Sequence, residues 1–190
     1  MKKIIMGTAL IVSIFTTQAF AGSNTYVGID MISSGNTLTR DSSFGSVSAD
    51  IDSKAFKLKL GVKRNNGWRF QGYYLRETYD IALFDLTNDT LNEIGVDIIK
   101  GFEVTPEFSP FIQAGVGVGS MSVTGYAESS ILEYNFKVGA GMMYKVIPQL
   151  ELIAGVDLQY RAWQDIQTGY TIYSTTEKNT KFYAGMNYHF

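Results

Sequence analysis

The sequence predicts an all-β chain: an eight-stranded antiparallel up-and-down β-barrel of the transmembrane kind. Three observations predict it. Eight segments alternate apolar and polar residues with a period of two, the pattern of strands with one greasy and one wet face. The connections between them alternate in kind, tight turns against longer stretches. Past the first twenty or so residues no apolar run reaches the roughly 20 residues of a spanning helix, so a membrane would be crossed by strands.

The chain opens with Lys2 and Lys3, an apolar run from Ile4 to Phe15, then Thr16, Thr17, Gln18 and Ala19-Phe20-Ala21. A basic start, a short apolar core and an Ala-x-Ala close make residues 1–21 a secretory signal peptide, cleaved after Ala21. No Cys precedes the mature start, so a lipoprotein is not expected. Residues 22–190 are then one barrel domain.

The first segment, Thr25 to Ile32, sets Val27, Ile29 and Met31 against Gly28 and Asp30. The second, Ala55 to Lys63, sets Phe56, Leu58, Leu60 and Val62 against Lys57, Lys59, Gly61 and Lys63. The third, Trp68 to Glu77, opposes Trp68, Phe70 and Tyr74 to Arg69, Gln71 and Tyr73, and blurs at Leu75 and Arg76. In the fourth, Leu91 to Phe102, Ile94, Val96, Ile98 and Phe102 oppose Glu93, Gly95, Asp97 and Gly101, with Lys100 breaking the apolar row. The fifth, Phe111 to Met121, alternates Ile112, Ala114, Val116 and Val118 with Gln113 and three glycines. The sixth runs from Leu132 to Tyr144 and the seventh from Leu150 to Arg161, with Glu133, Asn135, Lys137, Glu151, Asp157, Gln159 and Arg161 on their wet sides. The eighth ends the chain, with Phe182, Ala184, Met186, Tyr188 and Phe190 on one face.

Arg64-Asn65-Asn66-Gly67 has the composition of a tight hairpin. Pro106, Pro110 and Pro148 fall in the other short connections, where a missing N–H breaks no ladder bond. Ser33–Ser53, Thr78–Thr90, Ser122–Ser130 and Trp163–Asn179 read as long loops. Both termini and the short turns are expected in the periplasm and the long loops outside. Tyr134 and Tyr144 bracket one outward face ten residues apart. At roughly 3.3 Å per residue and a tilt of about 40° this gives about 25 Å, the height of an apolar band. Phe56, Tyr74, Tyr134, Tyr160 and Phe182 would ring its outer edge, and Trp68, Phe102, Tyr144, Tyr188 and Phe190 its periplasmic edge.

Alternation alone does not say which face points inward. A soluble lipocalin-like barrel would turn the apolar set toward a ligand. The terminal aromatic, the girdle spacing and the placement of the prolines weigh against it. With these features the chain resembles the small outer-membrane barrels: the membrane domain of outer-membrane protein A, the X-type protein, and the opacity or porin-like family. The resemblance implies that Phe182, Ala184, Met186, Tyr188 and Phe190 form a signal read by the barrel-assembly machinery, with outer-membrane lipid and lipopolysaccharide as surroundings. Nothing follows Phe190, so a peptidoglycan-binding domain is not expected. A monomer is.

On the wet face seven bases, Lys57, Lys59, Lys63, Arg69, Lys137, Arg161 and Lys181, meet seven acids, Asp30, Glu77, Glu93, Asp97, Glu133, Glu151 and Asp157. Buried charges need partners, so this equality predicts an interior salt-bridge network that closes the lumen. Gly115, Gly117, Gly119, Gly139, Gly141, Gly155 and Gly185 also face inward. They either make room for Tyr73, Phe111, Met143 and Tyr183 or leave a narrow pore for ions or small solutes, and filling the taper is the favoured reading.

Catalysis is weakly supported. Some barrels of this size modify lipid A with a His, a Ser and a carboxylate, but His189 is the one histidine and has no neighbouring Ser. With no Cys, thiol chemistry and disulfides are excluded. No metal or cofactor is expected, and Asp80, Asp85 and Asp89 read as a solvated loop face rather than a calcium site. A net charge of −2 argues against nucleic acid. Function then rests with the loops, where Ile81, Leu83, Phe84 and Leu86, and Tyr170, Ile172 and Tyr173, suggest a surface that binds a ligand. The second group equally suits a hairpin extended above the membrane.

Overall fold

The computed structural model of the chain describes residues 25–43, 45–85, 87–124, 129–168 and 171–190; the expected signal peptide lies outside them. They form β1 (Thr25–Ser42), β2 (Gly45–Lys63), β3 (Trp68–Tyr79), β4 (Thr90–Gly101), β5 (Phe108–Ser122), β6 (Ser130–Ile147), β7 (Leu150–Thr168) and β8 (Thr171–His189). Each strand runs antiparallel to its neighbours, and β8 returns to pair with β1, closing the barrel.

The period-two pattern becomes an inside and an outside. Lys57, Lys59, Asp97, Lys137, Asp157 and Lys181 are buried in the lumen, while Leu58, Ile98, Phe136, Leu158 and Phe182 face out. Phe182 is 63% exposed and Leu158 59%, with no protein to pack against. A continuous apolar belt of this kind is solvated by lipid. The lipocalin-like alternative is thereby corrected: the greasy face is the outer one.

Thr25, Phe190 and three tight connections share one end, here the terminal end. In the turn after β2, the Arg64 N–H donates to the Trp68 carbonyl (2.7 Å), and Gly67 takes a left-handed φ of 80°. Pro110 departs from expectation by lying within β5. Its carbonyl accepts from the Phe102 N–H (2.9 Å). The missing Pro110 N–H points to the same side, where β4 has already ended at Gly101, so the ladder to β6 stays intact.

At the other end, the loop end, two of the four expected loops are strands. β1 and β2 stay paired out to Ser42 and Gly45, and β7 and β8 out to Thr168 and Thr171. These segments are rich in Ser and Thr, so the apolar alternation that marks a lipid-facing strand disappears although the pairing continues. The blur at Leu75 and Arg76 is local. Leu75 is buried and Arg76 exposed, and the inward row turns polar again at Glu77. Among the described residues, 80–85 and 87–89 between β3 and β4, and 123, 124 and 129 between β5 and β6, form no strand.

Candidate functional site

The lumen is crossed by charge. β3 and β7 are four strands apart in a ring of eight, and so stand on opposite walls. Arg69 on β3 grips Glu151 on β7 through two parallel bonds, 2.6 Å and 2.8 Å. Nearer the loop end, Arg161 on β7 reaches Glu77 on β3 at 2.9 Å and Glu93 on β4 at 2.8 Å. Its other nitrogens lie 3.4 Å from Glu133 and 3.3 Å from Glu177, and Lys181 also pairs with Glu77 at 2.9 Å. Between these two heights, Lys57 and Lys59 flank Asp30 (3.3 Å and 2.5 Å), and Lys137 pairs with Asp97 (2.9 Å). Bidentate and charge-assisted bonds of this kind are the strong ones in a low-dielectric interior.

The expected balance of seven and seven needs three corrections. Lys63 sits at the terminal rim, pairing with the exposed Glu103 at 3.2 Å. That partner holds the Glu103 carboxyl below the usual carboxylate range through a hydrogen bond and its charge. Glu177, in a segment whose sequence predicts a loop, is fully buried beside Arg161. Asp157 is held by the Gln113 amide rather than by a cation. The buried set is therefore six bases and eight acids.

The inward glycines are sockets. A Cβ on Gly117 would meet the Tyr73 hydroxyl at 2.7 Å, one on Gly155 the Tyr183 hydroxyl at 2.5 Å, and one on Gly141 the Phe111 ring at 2.7 Å. Tyr26, which sequence reading passed over, fills the space above Gly61 in the same way. Three of these pairs, Tyr26–Gly61, Phe111–Gly141 and Tyr183–Gly155, are cross-strand neighbours, so each ring lies flat over the glycine of the adjacent strand, the small-and-large alternation that fills a narrow barrel.

Above the charges lies an apolar cap. Ile51, Tyr79, Leu91, Met121, Ile131 and Trp163 turn inward, and Leu83 and Phe84 from the β3–β4 loop complete the cluster. This corrects the expectation that Leu83 and Phe84 are exposed; Ile81 is exposed, and Leu86 and Tyr170 lie outside the described residues. Phe84 meets the Trp163 ring edge-on at 4.9 Å, and the Arg40 side chain donates to the Leu83 carbonyl (3.0 Å). Asp85 ties this loop to its neighbour, accepting from the backbone N–H groups of Thr87, Asn88 and Thr124 at 2.7–2.8 Å. Desolvation raises the Asp85 carboxyl, but these bonds and the Asn88 amide together outweigh it and hold the group well below the ordinary carboxylate range. Asp85 is thus occupied by protein donors.

The aromatic residues named for the girdles all point outward. Phe56 and Tyr74 meet edge-on at 6.3 Å near the loop end, with Tyr134, Tyr160 and Phe182 also on the outer surface. At the terminal end Trp68, Phe102, Tyr144, Tyr188 and Phe190 face out, Tyr188 and Phe190 in an edge-on pair at 5.4 Å. Ala184 and Met186 continue that outward row of β8. His189 lies inside the terminal mouth, 3.6 Å from Glu151 and 5.3 Å from the Tyr26 ring.

Beyond the barrel mouth the sheet continues on one side only. β2–β3 pairing stops at Ser53–Tyr79 and β6–β7 pairing at Glu133–Trp163, while β7, β8, β1 and β2 go on. The result is a four-stranded sheet whose two edges are free of any pairing strand among the described residues. On β7 the edge is interrupted by an irregularity between Trp163 and Ile166. On β2, residues 45–50 are all exposed and contain no Pro and no basic residue. The Asp52 carbonyl points to the β3 side, where it accepts from the Asp80 N–H (3.0 Å). By the alternation of a strand, the N–H and C=O groups of Ser46, Ser48 and Asp50 point to the same open side.

A search of curated proteins returns no match. Among solved structures, Neisserial surface protein A is similar over 87% of this chain and 97% of its own, with 24% identity and a TM-score of 0.58. OprG from Pseudomonas aeruginosa is similar over 88% and 96%, with 8% identity and a TM-score of 0.55. At such identities the likeness is one of fold. The model of the outer membrane protein β-barrel domain, however, matches residues 7–190. With its closed eight-stranded ring and lipid-facing belt, the chain belongs to the outer-membrane β-barrel family and is a protein of the bacterial outer membrane.

Proposed function

We propose that the protein is a closed, non-enzymatic barrel that displays a protein-binding surface on the cell exterior. The observation that carries this reading is the free β2 edge of the four-stranded sheet at the loop end. A row of unpaired main-chain donors and acceptors is a template for another extended chain, and proteins ordinarily blunt such edges with Pro, Lys or a bulge. β7 carries an irregularity at its edge; β2 presents Ser46, Ser48 and Asp50 without one. With an even number of strands, both termini share one side, which is the periplasmic one in this reading, and the sheet stands outside.

The lumen supports a display role over a pore. Two salt bridges span its diameter at different heights, and an apolar cap sits above them. The test is adherence of cells carrying the protein to host-cell monolayers, compared with cells lacking it. Ser48→Pro removes a donor from the free edge and should lower adherence while the barrel still shows heat-modifiable migration. Equal adherence of cells with and without the protein would sink the reading.

A further inference from the structure

The row of lipid-facing residues on β4 runs Ile94, Val96, Ile98, Lys100 and continues to Phe102 just past the strand, and Lys100 is the one cation in it. A charge directed at lipid is costly unless it reaches the headgroup layer and finds a counter-charge there. Its surroundings are built. The Lys100 ammonium lies 5.4 Å from the Trp68 ring and 6.0 Å from the Phe102 ring, both on the outer surface at the terminal end. It donates to the Asn66 carbonyl at 2.5 Å. The turn supplying that carbonyl is clamped to β4 by a second bond, from the Gly101 N–H to the Gly67 carbonyl (2.9 Å). A Cβ on Gly67 would meet the Gly101 carbonyl oxygen at 2.5 Å, so the approach of turn to strand depends on that glycine.

The two rings and the carbonyl hold the ammonium in place without neutralising it. Among the ion pairs of the described residues none involves Lys100. An ammonium has three donors, of which the Asn66 carbonyl takes one. We propose that Lys100, Trp68 and Phe102 form a binding site for the phosphate of an anionic glycerophospholipid at the terminal-end membrane interface. The ammonium meets the phosphate while the aromatic rings, amphipathic or apolar, lie among the upper acyl carbons.

The test is native mass spectrometry of the detergent-released full chain titrated with phosphatidylglycerol or phosphatidylcholine. The wild-type protein should retain one phosphatidylglycerol in roughly five-fold preference over phosphatidylcholine, the scale expected of one basic residue at an anionic surface. Lys100→Met should abolish the preference and Lys100→Arg should keep it. Lys145→Met, which removes a cation whose ammonium is directed to the Pro106 carbonyl, should leave it unchanged. Absence of a preference in the wild-type protein overturns the site, as does its survival in folded Lys100→Met. Displacement of the lipid by millimolar inorganic phosphate would identify a free-anion site instead and overturn the lipid assignment. If Lys100→Met does not fold, the wild-type comparison and Trp68→Leu, expected to weaken the preference, decide the matter.

Discussion

Arg161 on β7 touches Glu77 on β3 across the full width of the lumen, 2.9 Å from nitrogen to oxygen, with both side chains wholly buried. Around them stand Glu93, Glu133, Glu177 and Lys181, so two cations hold four carboxylates. Removing Arg161 leaves buried carboxylates without their main partner. Arg161→Met should therefore cost about 3–5 kcal/mol in urea unfolding from lipid vesicles. Glu177→Gln, which lowers an excess of negative charge, should cost much less. Equal losses would mean that the cluster is not organised around the guanidinium.

The closed lumen makes a statement about conductance. In planar bilayers the wild-type protein should give no reproducible channels. Removing the lower bridge alone, with Arg69→Ala and Glu151→Ala together, should leave the bilayer silent, because Arg161 and the apolar cap still block the path. Steady single-channel currents from the wild-type protein would refute the closed interior.

Gly155 and Tyr183 are coupled by volume. Gly155→Ala places a methyl group 2.5 Å from the tyrosine hydroxyl and 2.7 Å from its ring carbon. Overpacking of this kind costs about 1–3 kcal/mol. Adding Tyr183→Leu should recover part of that loss, and a double-mutant cycle reads the coupling directly. Strict additivity would show that the socket is not what constrains the glycine.

Asp85 sets the pH range over which the two loops hold together. Its carboxyl is depressed in the folded protein, so the contribution is present above the unfolded carboxylate range near pH 4 and is lost as pH falls through the lower folded value. The Thr124 amide should stay protected from hydrogen exchange at pH 4 and above. Asp85→Ala should expose it at every pH. Protection that vanishes between pH 7 and 5 would point to another anchor.

Phe190 separates assembly from stability. Its side chain is 68% exposed and its backbone N–H donates to the Thr25 carbonyl (3.0 Å), so the side chain itself packs little. Phe190→Ala should reduce the amount of folded protein in the outer membrane of cells, yet refold in detergent as the wild type does. Normal levels in cells would remove the assembly role proposed for the terminal strand.

Sequence reading located every strand because lipid on one side and a wet lumen on the other impose a strict alternation, as at Phe56 to Val62. It failed where one of those media changes. Thr37, Thr39, Ser46 and Ser48 pair in register as the lipid-facing residues do but carry no hydrophobic period, so the sequence predicts a loop where the structure has a hairpin. Glu177 lies in the same kind of segment. The lumen charges were legible as a group through parity, whereas their pairings were not. Whether Lys181 meets Asp157, its cross-strand neighbour, or Glu77 across the barrel is decided by side-chain reach. Leu83 and Phe84 illustrate the converse: apolar loop residues look exposed until the fold supplies Trp163 beneath them.

The seam between β1 and β8 runs from Tyr26–His189 to Asp41–Ser174, whereas β3 and β4 pair only from Trp68–Lys100 to Thr78–Thr90. The two strands of that seam are the most distant in the chain, so it is the pairing with the largest loop-closure cost and the last that can zip. Once formed, it is also among the longest, and its upper rungs lie in the sheet beyond the barrel mouth. Escape from the folded state by opening this seam would require breaking that whole ladder at once. Opening by this route is therefore expected to be slow, which leaves the shorter ladders on the opposite side, such as β3–β4, as the easier place for the closed ring to part.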